Sequence, residues 1–117
     1  MKNKEHVYND GLCRIVEEIK APSSFSAKEN GTKTTDFKTM YRLYFAEQSI
    51  REQDFEFAEA RGRVLNRKIK THLVSDINSQ LNVIIGDMLY SIVNADIDRH
   101  NNEIYFYLEE VRKLVKT

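Results

Sequence analysis

The stretch Leu81–Arg112, LNVIIGDMLYSIVNADIDRHNNEIYFYLEEVR, decides the fold. It reads as three strands joined by tight turns. Val83 to Ile85 is short and apolar, and Gly86-Asp87 is a turn dipeptide, glycine being the residue that takes positive φ without steric conflict. Met88 to Ala95 is the next strand, and Arg99 to Asn102 is a polar turn. From Glu103 to Arg112 the chain alternates: Ile104, Phe106 and Leu108 share one face, Tyr105, Tyr107 and Glu109 the other. A period of two marks a strand with one buried face, and the β-branched and aromatic content agrees. Such a meander has an apolar face and open edges, so the rest of the chain must cover it.

The 117 residues suffice for one modest domain, and 41% hydrophobic content supports a packed core. Eighteen basic residues balance 18 acidic ones, for a formal net charge of +0. Proteins that grip a phosphate backbone usually carry a basic excess. Cys13 is the one cysteine, which excludes an intramolecular disulfide and fits a reducing cytoplasm. It reads as a small core residue rather than a nucleophile. No apolar run approaches the ~20 residues needed to cross a bilayer, so no membrane association is expected. MKNKEHVYND has no apolar stretch of the kind a signal peptide carries.

Working outward from the meander, residues 1–10 read as a flexible arm, with Val7 and Tyr8 able to dock on a neighbour, and residues 11–117 as a single domain. Leu12 to Ile19 is a strand in which both faces are partly apolar, Cys13, Ile15 and Ile19 against Leu12 and Val16. Lys20 to Asp36, KAPSSFSAKENGTKTTD, is loop by composition, with Pro22, paired serines and the turn-forming Asn30-Gly31. Phe25 in it reads either as a foot pinning the loop or as an anchor into a partner. Phe37 to Gln48 is the second long strand, Tyr41, Leu43 and Phe45 sharing a face. Ser49-Ile50-Arg51-Glu52 fits a capping box, and Gly62 sits where a left-handed residue would end a helix, which predicts a helix over Ile50 to Arg61. Its apolar stripe is thin, so it is expected on the surface or at a subunit contact. Leu65 to Val74 is a strand with Ile69, Thr71 and Leu73 on one side and Lys68, Lys70 and His72 on the other. The sum is a mainly β chain: a small antiparallel β-barrel of five to six strands, one short α-helix and a long hairpin loop.

No catalytic constellation, metal set or cofactor motif emerges. His6, His72 and His100 have no ligand spacing, whereas zinc needs about four well-placed ligands. Asp96 and Asp98 read as turn chemistry rather than a carboxylate pair. The serines lack a nucleophile elbow, and the four glycines are isolated rather than forming a phosphate loop. Two features bear on nucleic acid. Lys68, Lys70 and His72, extended by Arg61, Arg63 and Arg67, form a basic row that reads as a solvated strand face or as a DNA-facing one. Tyr41, Tyr44, Tyr105 and Tyr107 read as barrel packing or as base-stacking groups.

The order of motifs resembles the head-tail joining proteins of tailed phages, also called head closure or head-tail adaptor proteins. The likeness runs from about Leu12 to Val111, through Ser-Ile-Arg-Glu-Gln-Asp-Phe-Glu-Phe-Ala, a Lys-Ile-Lys-Thr strand and Val-Ile-Ile-Gly-Asp-Met-Leu-Tyr-Ser-Ile-Val-Asn-Ala-Asp-Ile-Asp. Its sharpest part is Gly86, then Tyr90-Ser91-Ile92, then Asp96-Ile97-Asp98. The family's usual tryptophan in the second strand is absent, and Tyr41, Tyr44 or Phe45 would take its place.

The resemblance implies a non-enzymatic barrel in the virion, assembled in the bacterial host cytoplasm. It implies a ring of copies, a hexamer or dodecamer, meeting the portal/adaptor protein on one side and the tail completion protein on the other, with genomic DNA passing through without sequence specificity. On that reading Phe25, Lys28, Asn30, Gly31 and Lys33 contact a neighbouring ring. Ser49, Arg51, Glu52, Asp54, Phe55, Phe57 and Arg61 face the lumen or the adjacent subunit. Neutral charge suits a channel through which DNA must pass without sticking, and each subunit of a closed ring presents two different patches. The competing reading is a nucleic-acid-binding barrel of oligonucleotide-fold type that uses the tyrosines with Lys68 and Lys70.

Overall fold

A computed structural model describes residues 7–19 and 37–115. Six strands and one helix follow in the order β1 (Gly11–Glu18), β2 (Phe37–Glu47), α1 (Glu52–Ala60), β3 (Arg67–His72), β4 (Asn82–Ile85), β5 (Met88–Asp98) and β6 (Glu103–Lys113). Every neighbouring pair is antiparallel, in the spatial order β1-β2-β3-β6-β5-β4. β4 returns to β1, pairing Cys13 with Ile85 and Ile15 with Val83, and so closes the sheet into a barrel. The sequence expectation of a small antiparallel barrel with one short helix holds. The seams are unequal: six register pairs join β3 to β6, but only Ala46–Lys70 and Glu47–Ile69 join β2 to β3.

Alternation fills the interior. Cys13, Ile15, Phe45, Ile69, Val83, Tyr90, Ile92, Ile104, Phe106 and Leu108 form one buried cluster, closed at an end by Leu81. The faces read from β2 and β6 are the ones buried, and in β1 the inward pair is Cys13 and Ile15. Val16 points outward yet is fully buried, because Phe37, Ile84, Leu89 and the tail residue Leu114 cover it in a second, external cluster. A register shift between Ile15 and Val16 marks the change of surroundings. Ile19 lies past the strand end and is exposed.

The helix is two residues shorter at its start than the spacing predicts. Arg51, not Ser49, is the N-cap, and the Asp54 carboxylate accepts the Arg51 N–H at 3.0 Å. Asp54 outcompetes Glu52 for this position because its carboxylate has further partners beneath the helix. The far end is as expected. Gly62 takes φ +70°, its N–H reaches Glu59 O and that of Arg63 reaches Ala58 O, both at 2.9 Å, a Schellman ending. β3 is also shorter than Leu65 to Val74, since Leu65 leaves the ladder to pack under α1 with Ala58 and Tyr107.

Residues 7–10 are not a loose arm. Asp10 N–H donates to Phe45 O at 2.9 Å and its carboxylate accepts Glu47 N–H at 2.7 Å. The Tyr8 hydroxyl donates to the Glu103 carboxylate, and its ring lies 4.4 Å from that of His72. Residues 1–6 and the loop 20–36 lie outside the described residues. The strands flanking that loop do form a hairpin, with Glu18 opposite Phe37.

At Gly11 the backbone runs so close to the Phe45 ring that an added Cβ would sit 2.9 Å from two ring carbons, at φ +149°. Gly11→Ala is therefore expected to lower stability by about 1–3 kcal/mol in urea unfolding. A variant as stable as its parent would contradict this close approach.

Candidate functional site

The outer face of β3 and β6 carries most of the residues singled out by sequence. With Ile69 and Thr71 inside, alternation turns Lys68, Lys70 and His72 outward. Helix α1 lies over the first of them. Lys68 Nζ is buried and donates to Asp54 Oδ2 at 3.0 Å. The rings of Tyr107 and Tyr105 stand 5.0 and 5.8 Å from the ammonium. The same carboxylate takes the Arg51 backbone N–H and its guanidinium, which reaches Oδ1 at 3.3 Å. One side chain thus caps a helix N-terminus, where negative charge is favoured, and pairs with two cations. Burial alone would raise the Asp54 carboxyl, but the hydrogen bonds from Arg51 and Lys68 outweigh it and hold it at about 2. Beside the pair is a polar cleft of about 400 Å³ bordered by Ser49, Arg51, Asp96 and Tyr105.

The rest of the basic row is also paired. Lys70 Nζ lies 3.5 Å from Glu103 Oε2. Tyr8, resting on His72, binds the same Glu103 and is pushed upward in pKa, first by burial and then by that hydrogen bond to the carboxylate. Arg67 turns to the barrel mouth, where its Nε–Nη2 edge binds Glu47, Nη1 donates to the Tyr90 hydroxyl at 3.0 Å, and the plane stands over Phe45. Arg63 binds Glu109 and the Ser91 hydroxyl; the hydrogen bond from Arg63 is the main reason the Glu109 carboxyl is held low. Arg61 stacks on Phe57 at 3.8 Å. Lys68 and Lys70, expected to face DNA, each have an acidic partner, Asp54 and Glu103, from distant parts of the chain.

The tyrosines do not share a platform. Tyr44 is 65% exposed on β1–β2's outer side, Tyr107 is buried under α1, and Tyr41 bonds Ser75 O at 3.1 Å across the barrel end. Tyr105 and Tyr107 border the polar cleft beside α1 together with Lys68 and Arg51, while Tyr41 and Tyr44 lie elsewhere on the barrel. Of Tyr41, Tyr44 and Phe45, Phe45 is the one fully buried. Asp98 accepts two hydrogen bonds from Asn101 and so performs turn chemistry, as expected. Burial pushes the Cys13 thiol up to about 12, which leaves it protonated. Among the described residues no group of three His, Cys, Asp or Glu side chains could hold a metal ion.

No family model matches the chain, and no curated protein is found to resemble it.

Of the predicted contact residues, Phe25, Lys28, Asn30, Gly31 and Lys33 lie outside the described residues. Ser49, Arg51 and Asp54 gather at the start of α1, while Glu52 and Phe55 face outward from it. The sequence pattern missed the outer face of β1–β2, where Leu12 and Tyr44 are direct partners and both exposed. Its signals were Leu12 in an otherwise half-polar strand and Tyr44, which read separately in the sequence.

Removing one member of a buried pair strands the other. Asp54→Ala is expected to cost about 3 kcal/mol in urea unfolding, whereas Asp54→Leu combined with Lys68→Met should cost much less. Because the folded Asp54 pKa lies below its unfolded value, the pair stabilises fully above pH ~4. That contribution fades as pH falls toward about 2. A double variant no better than Asp54→Ala, or parent and variant with the same acid dependence, would contradict the assignment.

Proposed function

We propose that this chain is a structural connector of a tailed phage, of the head closure type. It forms a ring between the portal/adaptor complex and the tail, seals the DNA exit channel and docks the tail. It is not an enzyme on this reading; it acts by contact. The observation that carries the reading is the β1–β2 hairpin. Its strands pair directly at Glu18 and Phe37, yet residues 19–36 join them, far longer than the 2–5 residues a hairpin turn needs. Long connections on a rigid scaffold are where binding function concentrates.

Three further features support it. The resemblance to head-tail joining proteins spans nearly the whole chain, and its sharpest motif falls on the β4–β5 turn at Gly86 and along β5. The barrel interior is filled by side chains, which leaves action to the outer surface. The basic residues on β3 are spent on internal carboxylates, which suits a channel wall that must release DNA.

Deleting Ser26 to Thr34 shortens the connection without touching either strand. The variant is expected to fold, with unchanged far-ultraviolet circular dichroism, while heads and tails accumulate unjoined. Normal virion yield from the deletion would contradict the role given to this loop.

A further inference from the structure

Two patches on different faces of the barrel carry opposite charge around exposed apolar side chains. The first is the outward stripe of α1. Glu52, Phe55, Glu56 and Glu59 are spaced by three and four residues, so they share one helical face. All four are exposed, Phe55 to 46%, and the buried side of the helix is held by Asp54 and Ala58. A large apolar ring therefore stands in solvent among three carboxylates. None of the three has an ion pair with another described residue.

The second patch is the outer face of β1–β2, next around the barrel from the β3 and β6 strands that α1 covers. Leu12 and Tyr44 pair directly and are 43% and 65% exposed. With Tyr8, Asn9 and Gly11 they line a mostly apolar hollow of about 380 Å³. On the same face, two residues further along each strand and so roughly 7 Å away, Arg14 sits directly opposite Arg42. Like charges placed opposite one another weaken a sheet pair. The Arg14 guanidinium turns aside to the neutral Thr39 hydroxyl, at 2.8 and 3.0 Å, and Arg42 stays exposed. Neither arginine has an ion pair with a described residue.

We infer that the α1 stripe of one copy docks on the β1–β2 face of the next. Phe55 enters the hollow at Leu12 and Tyr44, and Glu52, Glu56 and Glu59 meet Arg14 and Arg42. The Cβ atoms of Glu52 and Glu59, three and four residues from Phe55, lie about 5–6 Å from its own, the same scale as the step from Tyr44 to Arg42. The contact removes an exposed phenyl from water and relieves the facing arginines. It uses different patches on each copy, which is the heterologous geometry that closes into rings. The occupant of the hollow is thus a second copy of this chain, and this deepens the connector reading by naming the subunit contact.

Cross-linking captures this contact even where association is weak. Phe55→Cys and Tyr44→Cys alter exposed side chains, and the native Cys13 is buried and does not compete. Mixed at high concentration under mild oxidation, the two variants are expected to give a heterodimeric disulfide several-fold above the homodimers each forms alone. The double variant Tyr44→Cys/Phe55→Cys should give a ladder of multimers. Arg42→Glu added to the Tyr44→Cys chain should abolish the heterodimer, and Glu56→Arg added to its partner should restore it. A mixture yielding only the homodimers overturns the interface. If particles nevertheless carry a ring of this protein, the connector reading stands without it; a cross-link from a chain absent from particles has the reverse meaning.

Discussion

Closure of the sheet is the constraint on which the rest depends. β4 contributes only four residues, yet its pairing with β1 removes both open edges at once. Once the ring is shut, every inward side chain has the same destination. Phe45, Phe106, Ile69 and Ile104 fill it, and Arg67 lies across one mouth with Glu47 and Tyr90. The interior is spent on packing, so whatever the protein does it does with its outer face and its connections.

The outer face is organised by one buried ion pair. Asp54 and Lys68 meet beneath α1, and the pair fixes where the helix starts and how it sits on β3 and β6. A buried pair is a weak source of net stability, since both ions lose water on burial. Its consequence is positional. Replacement by apolar residues would keep the barrel but loosen the choice of helix register. With Asp54 and Ala58 turned inward, the acidic stripe around Phe55 is turned out. A rigid helix presenting a fixed face is what a repeating subunit contact would need.

Much of this was legible in the sequence where one physical signal acted alone. The alternation through Ile104, Phe106 and Leu108 reports a strand with one buried face, and those residues are fully buried. Gly62 announced the helix end because few other residues take positive φ there. Legibility failed where the deciding partner was remote. The sequence left both faces of β1 open, and Val16 is buried on the outer one because Leu114, nearly a hundred residues on, covers it. Lys68 and Lys70 looked like a basic stripe because nothing nearby in sequence shows that Asp54 and Glu103 neutralise them. The spacing pointed to a box at Ser49 to Glu52, and tertiary pairing of Asp54 moved the helix start to Arg51. The exposed Leu12–Tyr44 pair was hidden because no local pattern says which side of β1 is outside.

Electron cryomicroscopy of the head-tail junction in intact phage particles tests the central claim most directly. The account predicts a closed ring built from copies of this six-stranded barrel, encircling the DNA channel between the portal side and the tail. Particles that contain no copy of the chain, or a junction map fully built without it, would contradict the account.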